Sequence, residues 1–201
     1  MGDVRAPLAE QDPEAALGRL PSLLGVLLSL LDAHKRPTTS LLLEAGLGTM
    51  SETEQFLDRM NRDSAFNSAI SRLTNAVEAT AAAGPAHVCS AFADLIADER
   101  DTERGSDLLW WLLPYLGRIG RQHGADTGVL RHVLPILHSY LVAGEPHLRA
   151  RAIDAWTEIA AAHTLPSSLQ DLLPALVADR SVGVSSAVAR ASRLDWPKAA
   201  N

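Results

Sequence analysis

Apolar residues recur every three or four positions along most of the chain, and this spacing constrains the fold more than any other feature of the sequence. Phe66, Ile70, Leu73 and Val77 give the clearest example, because steps of four, three and four residues place them on one face of a helix. Leucine and alanine dominate the composition, and both lose little side-chain entropy in a helix. Runs of β-branched residues, which favour strands, are missing from the sequence. The sequence therefore predicts an all-α fold.

Residues that prefer helix ends divide the chain into separate helices. Asp12 followed by Pro13 is typical of a helix start, and Ser51 with Glu54 has the spacing of a capping box. Gly84 ends the helix that carries the Phe66 face. The short intervals between these signals predict antiparallel helix pairs.

A later helix, opened by Pro146, indicates where part of the core lies. Leu148, Ala152, Trp156 and Ile159 fall on one face of this helix at intervals of three or four residues. We therefore expect Trp156 to be a core residue.

The charge and cysteine content exclude several classes of function. The chain has 201 residues and a formal net charge of −6, with 24 acidic against 18 basic residues. Such an acidic chain lacks the phosphate-neutralising surface of a general nucleic-acid binder, so nucleic acid is not the expected partner. Its single cysteine, Cys89, permits neither an intramolecular disulfide nor a cysteine-based zinc site. Arginine greatly exceeds lysine, which together with the alanine content fits a GC-rich bacterial coding sequence.

The N-terminal region determines the expected localisation. The longest apolar stretch, Leu20–Leu31, contains Pro21 and is shorter than the roughly 20 residues that cross a bilayer. Acidic residues precede it, whereas a signal peptide begins with basic ones. We expect a cytoplasmic protein with no membrane partner, a flexible segment over residues 1–12, and a single helical domain over residues 13–201.

Two segments in the second half of the chain share an order of residues. Pro135 and Pro174 each follow a leucine inside a leucine-rich helix, and they are 39 residues apart. A short turn follows each of them, and then a helix with small residues on its packing face. A period near 40 with two helices per unit is the signature of a HEAT or armadillo-type solenoid.

Individual residues in these segments also resemble HEAT repeats. Pro135 occupies the place of the proline that kinks the first helix of such a repeat, and Leu148-Arg149 that of the pair which opens the second helix. Asp179 matches the aspartate of the turn in the following unit, whereas Ser185 stands where the arginine of that unit would be. The resemblance is clearest over residues 128–196, which would form two HEAT-like units of a short α-solenoid. Residues 13–127 are expected to form irregular helices.

The resemblance implies a binding surface, because the second helices of HEAT-like solenoids line the concave face on which partners dock. Four arginines occupy the outer sides of these helices: Arg149, Arg151, Arg190 and Arg193. Side by side they would form a basic strip on an acidic protein. This strip predicts that the partner is another protein, such as one with an acidic segment.

A pair of tryptophans suggests a second contact point. Trp110 and Trp111 are adjacent on a predicted helix, so their side chains point about 100° apart. One of them is expected to pack in the core and the other to lie near the surface. Tryptophan is enriched at binding hot spots, so the surface residue is a candidate anchor for a partner.

Motifs that would indicate catalysis or cofactor binding are missing from the sequence. It has no Gly-x-Ser-x-Gly elbow, phosphate-binding loop or His-Glu-x-x-His pair. His132 and His138 fall on roughly opposite helix faces, and Cys89 has the apolar neighbours of a buried thiol. We therefore predict no catalytic residue, no metal site and no cofactor.

The sequence favours a protein–protein interaction scaffold or adaptor of the helical-repeat type. One alternative is a helical subunit of a multi-chain complex, whose partner face would have the same features. Another is an enzyme that acts on nucleic acid, since some HEAT-like proteins excise alkylated bases from DNA with aromatic and acidic groups in a basic groove. The net acidity of the chain argues against that last alternative.

Overall fold

The computed structural model describes residues 12–35, 50–165 and 168–193, which are mainly α-helical and contain no strand. The helices in these ranges are α1 (Pro13–Gly18), α2 (Leu20–Lys35), α3 (Glu52–Ala83), α4 (Pro85–Glu99), α5 (Gly105–His123), α6 (Thr127–Ala143), α7 (Pro146–Ala160), α8 (Ser168–Val177) and α9 (Val182–Ala191). The all-α prediction is therefore confirmed. The flexible segment expected over residues 1–12 lies, apart from Asp12, outside the described residues.

The chain divides into two compact units, Met1–Ala83 and Gly84–Asn201. The division falls at the Gly84 signal that ends α3, where a proline begins α4. The expected division of one domain into residues 13–127 and 128–196 stays a prediction.

In the first unit, α1 and α2 both pack against α3. The capping box is confirmed at the start of α3, because the Ser51 amide donates to Glu54 at 2.8 Å and the Glu54 amide donates to the Ser51 hydroxyl at 3.4 Å. The second half of α3 buries the predicted face, which includes Phe66, Ile70 and Leu73. That face packs against α2 and so forms the core of this unit.

Helix α2 is less buried than its leucine content suggests. Leu20, Leu27 and Leu31 are buried along one face, but Val26 remains 49% exposed. Among the described residues, Pro13–Lys35 is a 23-residue stretch long and apolar enough to cross a membrane, although core helices and signal sequences meet the same test. The helical stretch is thus longer than Leu20–Leu31, so the argument that it is too short was wrong. The cytoplasmic localisation stays a prediction.

In the second unit, α7 is the central helix and contacts α5, α6 and α9. Helix α4 packs on α5 and α6, and α8 packs on α9. The side of α7 that carries Leu148 and Ile159 faces these neighbours, and Trp156 on the same side is only 2% exposed. The prediction that Trp156 is a core residue is confirmed.

Two glycines allow α5 and α7 to approach closely. A Cβ atom at Gly117 would lie 2.8 Å from the Cα of Ala155, and one at Gly120 would lie 2.6 Å from the Cδ1 of Ile159. Real side chains almost never come so near to backbone, so position 117 in particular requires a glycine. The contact fixes the relative position of the two helices that carry most of the residues described below.

The acidic run before α5 is partly structural. Glu99 is the last residue of α4 and is only 8% exposed. Its carboxylate accepts hydrogen bonds from Arg104 at 2.8 and 3.0 Å and from the Thr102 hydroxyl at 2.8 Å. These bonds fold the turn that leads from α4 into α5.

Cys89 lies on α4 and has no solvent exposure. Burial raises the pKa of its thiol to about 12, and the charge of Asp126 adds to that increase. The prediction of a buried thiol is confirmed.

Candidate interaction site on helices α5, α7 and α9

Trp110 is the most exposed aromatic residue that the structure describes in the second unit. It is 38% exposed on α5, whereas its neighbours Leu109 and Leu112 are buried. Trp111 is half-buried, so the expectation that one of the two tryptophans lies near the surface holds for Trp110. Neither tryptophan belongs to the innermost core.

Arg151 of α7 covers the ring of Trp110. The centre of its guanidinium lies 3.8 Å from the ring centroid, within the range of a cation–π interaction. The Nε atom of Arg151 is buried and has no hydrogen-bond partner among the described residues. The structure thus joins two residues that the sequence analysis had assigned to separate binding features.

Arg149 lies near the start of α7, and its guanidinium contacts two hydrogen-bond acceptors. It contacts the backbone oxygen of Gly144, and its Nη2 donates to Oδ2 of Asp179 at 2.6 Å. Asp179 also accepts a hydrogen bond from the Ser181 amide at 2.8 Å. That backbone hydrogen bond, together with the hydrogen bond and charge of Arg149, lowers the pKa of the Asp179 carboxyl. Arg149 therefore connects α7 to the turn that precedes α9.

Arg190 of α9 forms a two-pronged ion pair with Asp154 of α7. Three nitrogen–oxygen distances of 2.7, 2.7 and 3.0 Å join the two side chains, and both remain partly exposed. Arg193 is exposed beyond the end of α9. Of the four arginines in the expected basic strip, Arg149 and Arg190 thus face carboxylates of the chain itself.

A polar cluster lies beside Trp110, where α5 and α7 begin. The hydroxyl of Ser106 is 3.1 Å from Nε2 of His147, and Nδ1 of His147 is 3.4 Å from Oε2 of Glu145. The His147 ring centroid is 5.9 Å from that of Trp110. No motif in the sequence indicates this cluster, because Ser106 and His147 are 41 residues apart and only the packing of α5 on α7 brings them together.

Metal-ligating side chains do not converge anywhere in the described ranges. No group of three or more histidine, cysteine, aspartate or glutamate residues there has the arrangement of a metal site. Trp110 and Arg151, which do meet on the α5–α7 surface, are of residue types that are enriched at protein interfaces.

The chain matches no protein-family model, no curated protein and no solved structure. The resemblance to HEAT and armadillo repeats therefore rests on the residues quoted above.

Proposed function

We propose that the chain is a protein–protein interaction scaffold of the helical-repeat type that binds a partner on the exposed sides of α5, α7 and α9. The observation that carries this proposal is the exposed Trp110 ring stacked under the Arg151 guanidinium. Tryptophan and arginine are both among the residue types enriched at binding hot spots. The partner would cover Trp110 and pair with the cationic group held on its face.

The packing of the second unit supports a repeat architecture. Helices α6 and α7 pack against each other, as do α8 and α9, and α7 also contacts α9. The Arg149–Asp179 hydrogen bond joins the first of these pairs to the turn inside the second. These contacts agree with the two HEAT-like units proposed over residues 128–196.

An acidic segment is the proposed partner, because Arg151 places a positive charge on the face of the exposed Trp110 ring. Its attraction for a carboxylate would raise the association rate and fix the orientation of the partner more than it would raise affinity. Arg193 lies at the far end of the same group of helices and would extend the electrostatic attraction.

Pull-down experiments with matched variants would test the proposal. Trp110→Ala and Arg151→Glu should lose the native partner, whereas Arg131→Glu should keep it. Arg131 is exposed on α6, outside the α5, α7 and α9 surface, and its reversal changes the net charge equally. The difference between Arg151→Glu and wild type should shrink at moderate salt, because the Debye length falls to about 8–10 Å. If all three variants capture the partner equally at low salt, the site is elsewhere.

A second candidate function is that of a helical subunit in a multi-chain complex. It is favoured by exposed apolar residues in the first half of α3, where Phe56 is 60%, Leu57 53% and Met60 55% exposed. Large apolar side chains clustered on one surface are typical of partner contacts. Native mass spectrometry of the complex purified from its own cell would show a fixed stoichiometry if the chain is such a subunit.

A further inference from the structure

The cluster at the start of α5 contains a serine, a histidine and a glutamate in the order of a hydrolytic triad. Ser106, His147 and Glu145 follow one another at 3.1 and 3.4 Å through the two nitrogens of one imidazole ring. We propose that these residues hydrolyse an ester, with Ser106 as the nucleophile. This activity goes beyond the docking of a partner protein and does not depend on it.

The three residues have the chemical roles that such a reaction needs. A serine hydroxyl is a weak nucleophile until an adjacent base accepts its proton, and that base works best when a third group orients it. The carboxylate of Glu145 lies 3.4 Å from Nδ1 of His147, an ion-pair contact and not a hydrogen bond, and its negative charge favours a hydrogen on that nitrogen. Nε2 is then free to accept the hydrogen of the Ser106 hydroxyl. Triads are defined by this geometry and not by sequence spacing, which explains why no motif indicates it.

The position of Ser106 supplies a site for the negative charge that develops on the ester oxygen. Ser106 is the second residue of α5, so its amide lies in the first turn of the helix. First-turn amides have no acceptor within their own helix, and the helix dipole makes this end positive. Amide donors beside a nucleophile are the usual means of stabilising a tetrahedral intermediate.

The surroundings define the class of substrate. The side chains of His147 and Glu145 are 44% and 65% exposed, so the cluster is open to solvent. The Trp110 ring, 5.9 Å from the imidazole, offers a surface on which an aromatic group packs. An open site of this kind suits esters with a good leaving group, such as aryl esters, because an amide would need its leaving nitrogen fully protonated and closely positioned.

The reaction consumes one water molecule and needs no cofactor. The Ser106 oxygen bonds to the ester carbonyl carbon while its proton moves to Nε2 of His147. The bond from that carbon to the alcohol oxygen breaks, and the alcohol leaves with the proton from His147. Water then attacks the acyl-serine and gives one proton to His147, which returns it to the Ser106 oxygen as the carboxylic acid is released.

Hydrolysis of p-nitrophenyl acetate tests the role of each residue. Ser106→Ala and His147→Ala should each lower the protein-dependent rate at least about ten-fold, a conservative figure for general base catalysis. Ser186→Ala is the matched control, because Ser186 is exposed on α9, and it should retain the wild-type rate. Glu145 acts through His147 as a positioning residue, so Glu145→Gln should lower kcat without changing KM, and Glu145→Asp should recover part of the loss.

A covalent probe provides a second measurement that does not require a folded variant. A fluorophosphonate should modify the wild-type protein, and peptide mapping should place the adduct on Ser106. Wild-type esterase activity in Ser106→Ala, or an absence of any adduct on Ser106, would overturn the proposal. Neither result would affect partner binding through Trp110 and Arg151, so failure of the triad and failure of the scaffold are distinguishable.

Discussion

Gly117 of α5 faces Ala155 of α7 with so little space that a Cβ atom at position 117 would lie 2.8 Å from the Ala155 Cα. The obstacle is backbone, which cannot rotate away as a flexible side chain can. The two helices would therefore have to separate to accept even a methyl group, and the contacts of α7 with α5 would loosen.

Gly117→Ala should lower the free energy of unfolding by about 1–3 kcal/mol, the usual cost of overpacking. Gly183→Ala is the matched control in the same unit, because the nearest atom to a Cβ there is 3.7 Å away. It should leave stability unchanged or raise it by less than about 1 kcal/mol. All four tryptophans lie in Gly84–Asn201, so denaturant melts followed by tryptophan fluorescence report on this unit. Equal effects of the two substitutions would contradict the close contact.

Trp156→Ala should cost about 3–5 kcal/mol, because it empties a large site in the core of the second unit. Trp110→Ala should cost about 1 kcal/mol or less, since that ring is partly exposed and loses mainly its contact with Arg151. The Nε1 atom of Trp156 is buried and has no hydrogen-bond partner among the described residues, so Trp156→Phe should cost less than Trp156→Ala. A loss below about 1 kcal/mol for Trp156→Ala would mean that the side of α7 that carries Trp156 faces solvent.

The lowered pKa of Asp179 makes the second unit sensitive to acid. Because the folded pKa lies below the ordinary value of 3.8, the Asp179 carboxylate contributes stability that is fully present above that value. The contribution is lost as the pH falls through the folded pKa. Asp179→Asn removes this charge while keeping an oxygen that accepts from the Ser181 amide.

The measurement for Asp179 is the melting temperature at pH 7 and at pH 3, again by tryptophan fluorescence. Wild type should lose more stability between the two pH values than Asp179→Asn does, because only wild type has the Asp179 carboxylate to protonate. Identical losses in the two proteins would show that the Asp179 contacts with Arg149 and Ser181 do not contribute to folding.

The elements of the fold that depend on local chemistry were predictable from the sequence. Ser51 and Glu54 cap α3 as their spacing indicates, and Trp156 lies on the buried side that helical periodicity assigns to it. Both predictions require only interactions within one helix turn or along one helix face. The exposure of Phe56 could not be predicted from the sequence. Whether an apolar side chain is buried depends on whether a neighbouring helix extends far enough to cover it, and the residue itself does not show this.

The partners of the arginines could not be predicted, because they depend on how helices align. Arg149 and Arg190 were expected to form one basic strip, but Asp179 and Asp154 are 30 and 36 residues away from them in the chain. The register between α7 and α9 brings each carboxylate to its arginine. The contact of Arg151 with Trp110 depends in the same way on the close approach at Gly117.

Because Cys89 is buried, the reactivity of its thiol reports how often the second unit opens transiently. A thiol with a pKa of about 12 and no solvent exposure cannot react with an alkylating reagent at neutral pH until α4 moves away from its neighbours. The alkylation rate therefore measures how often this helix detaches. Partner binding on α5 and α7 should slow that rate if it stabilises the whole unit. Conformational fluctuation and ligand binding could then be followed on the unmodified protein, without any introduced label.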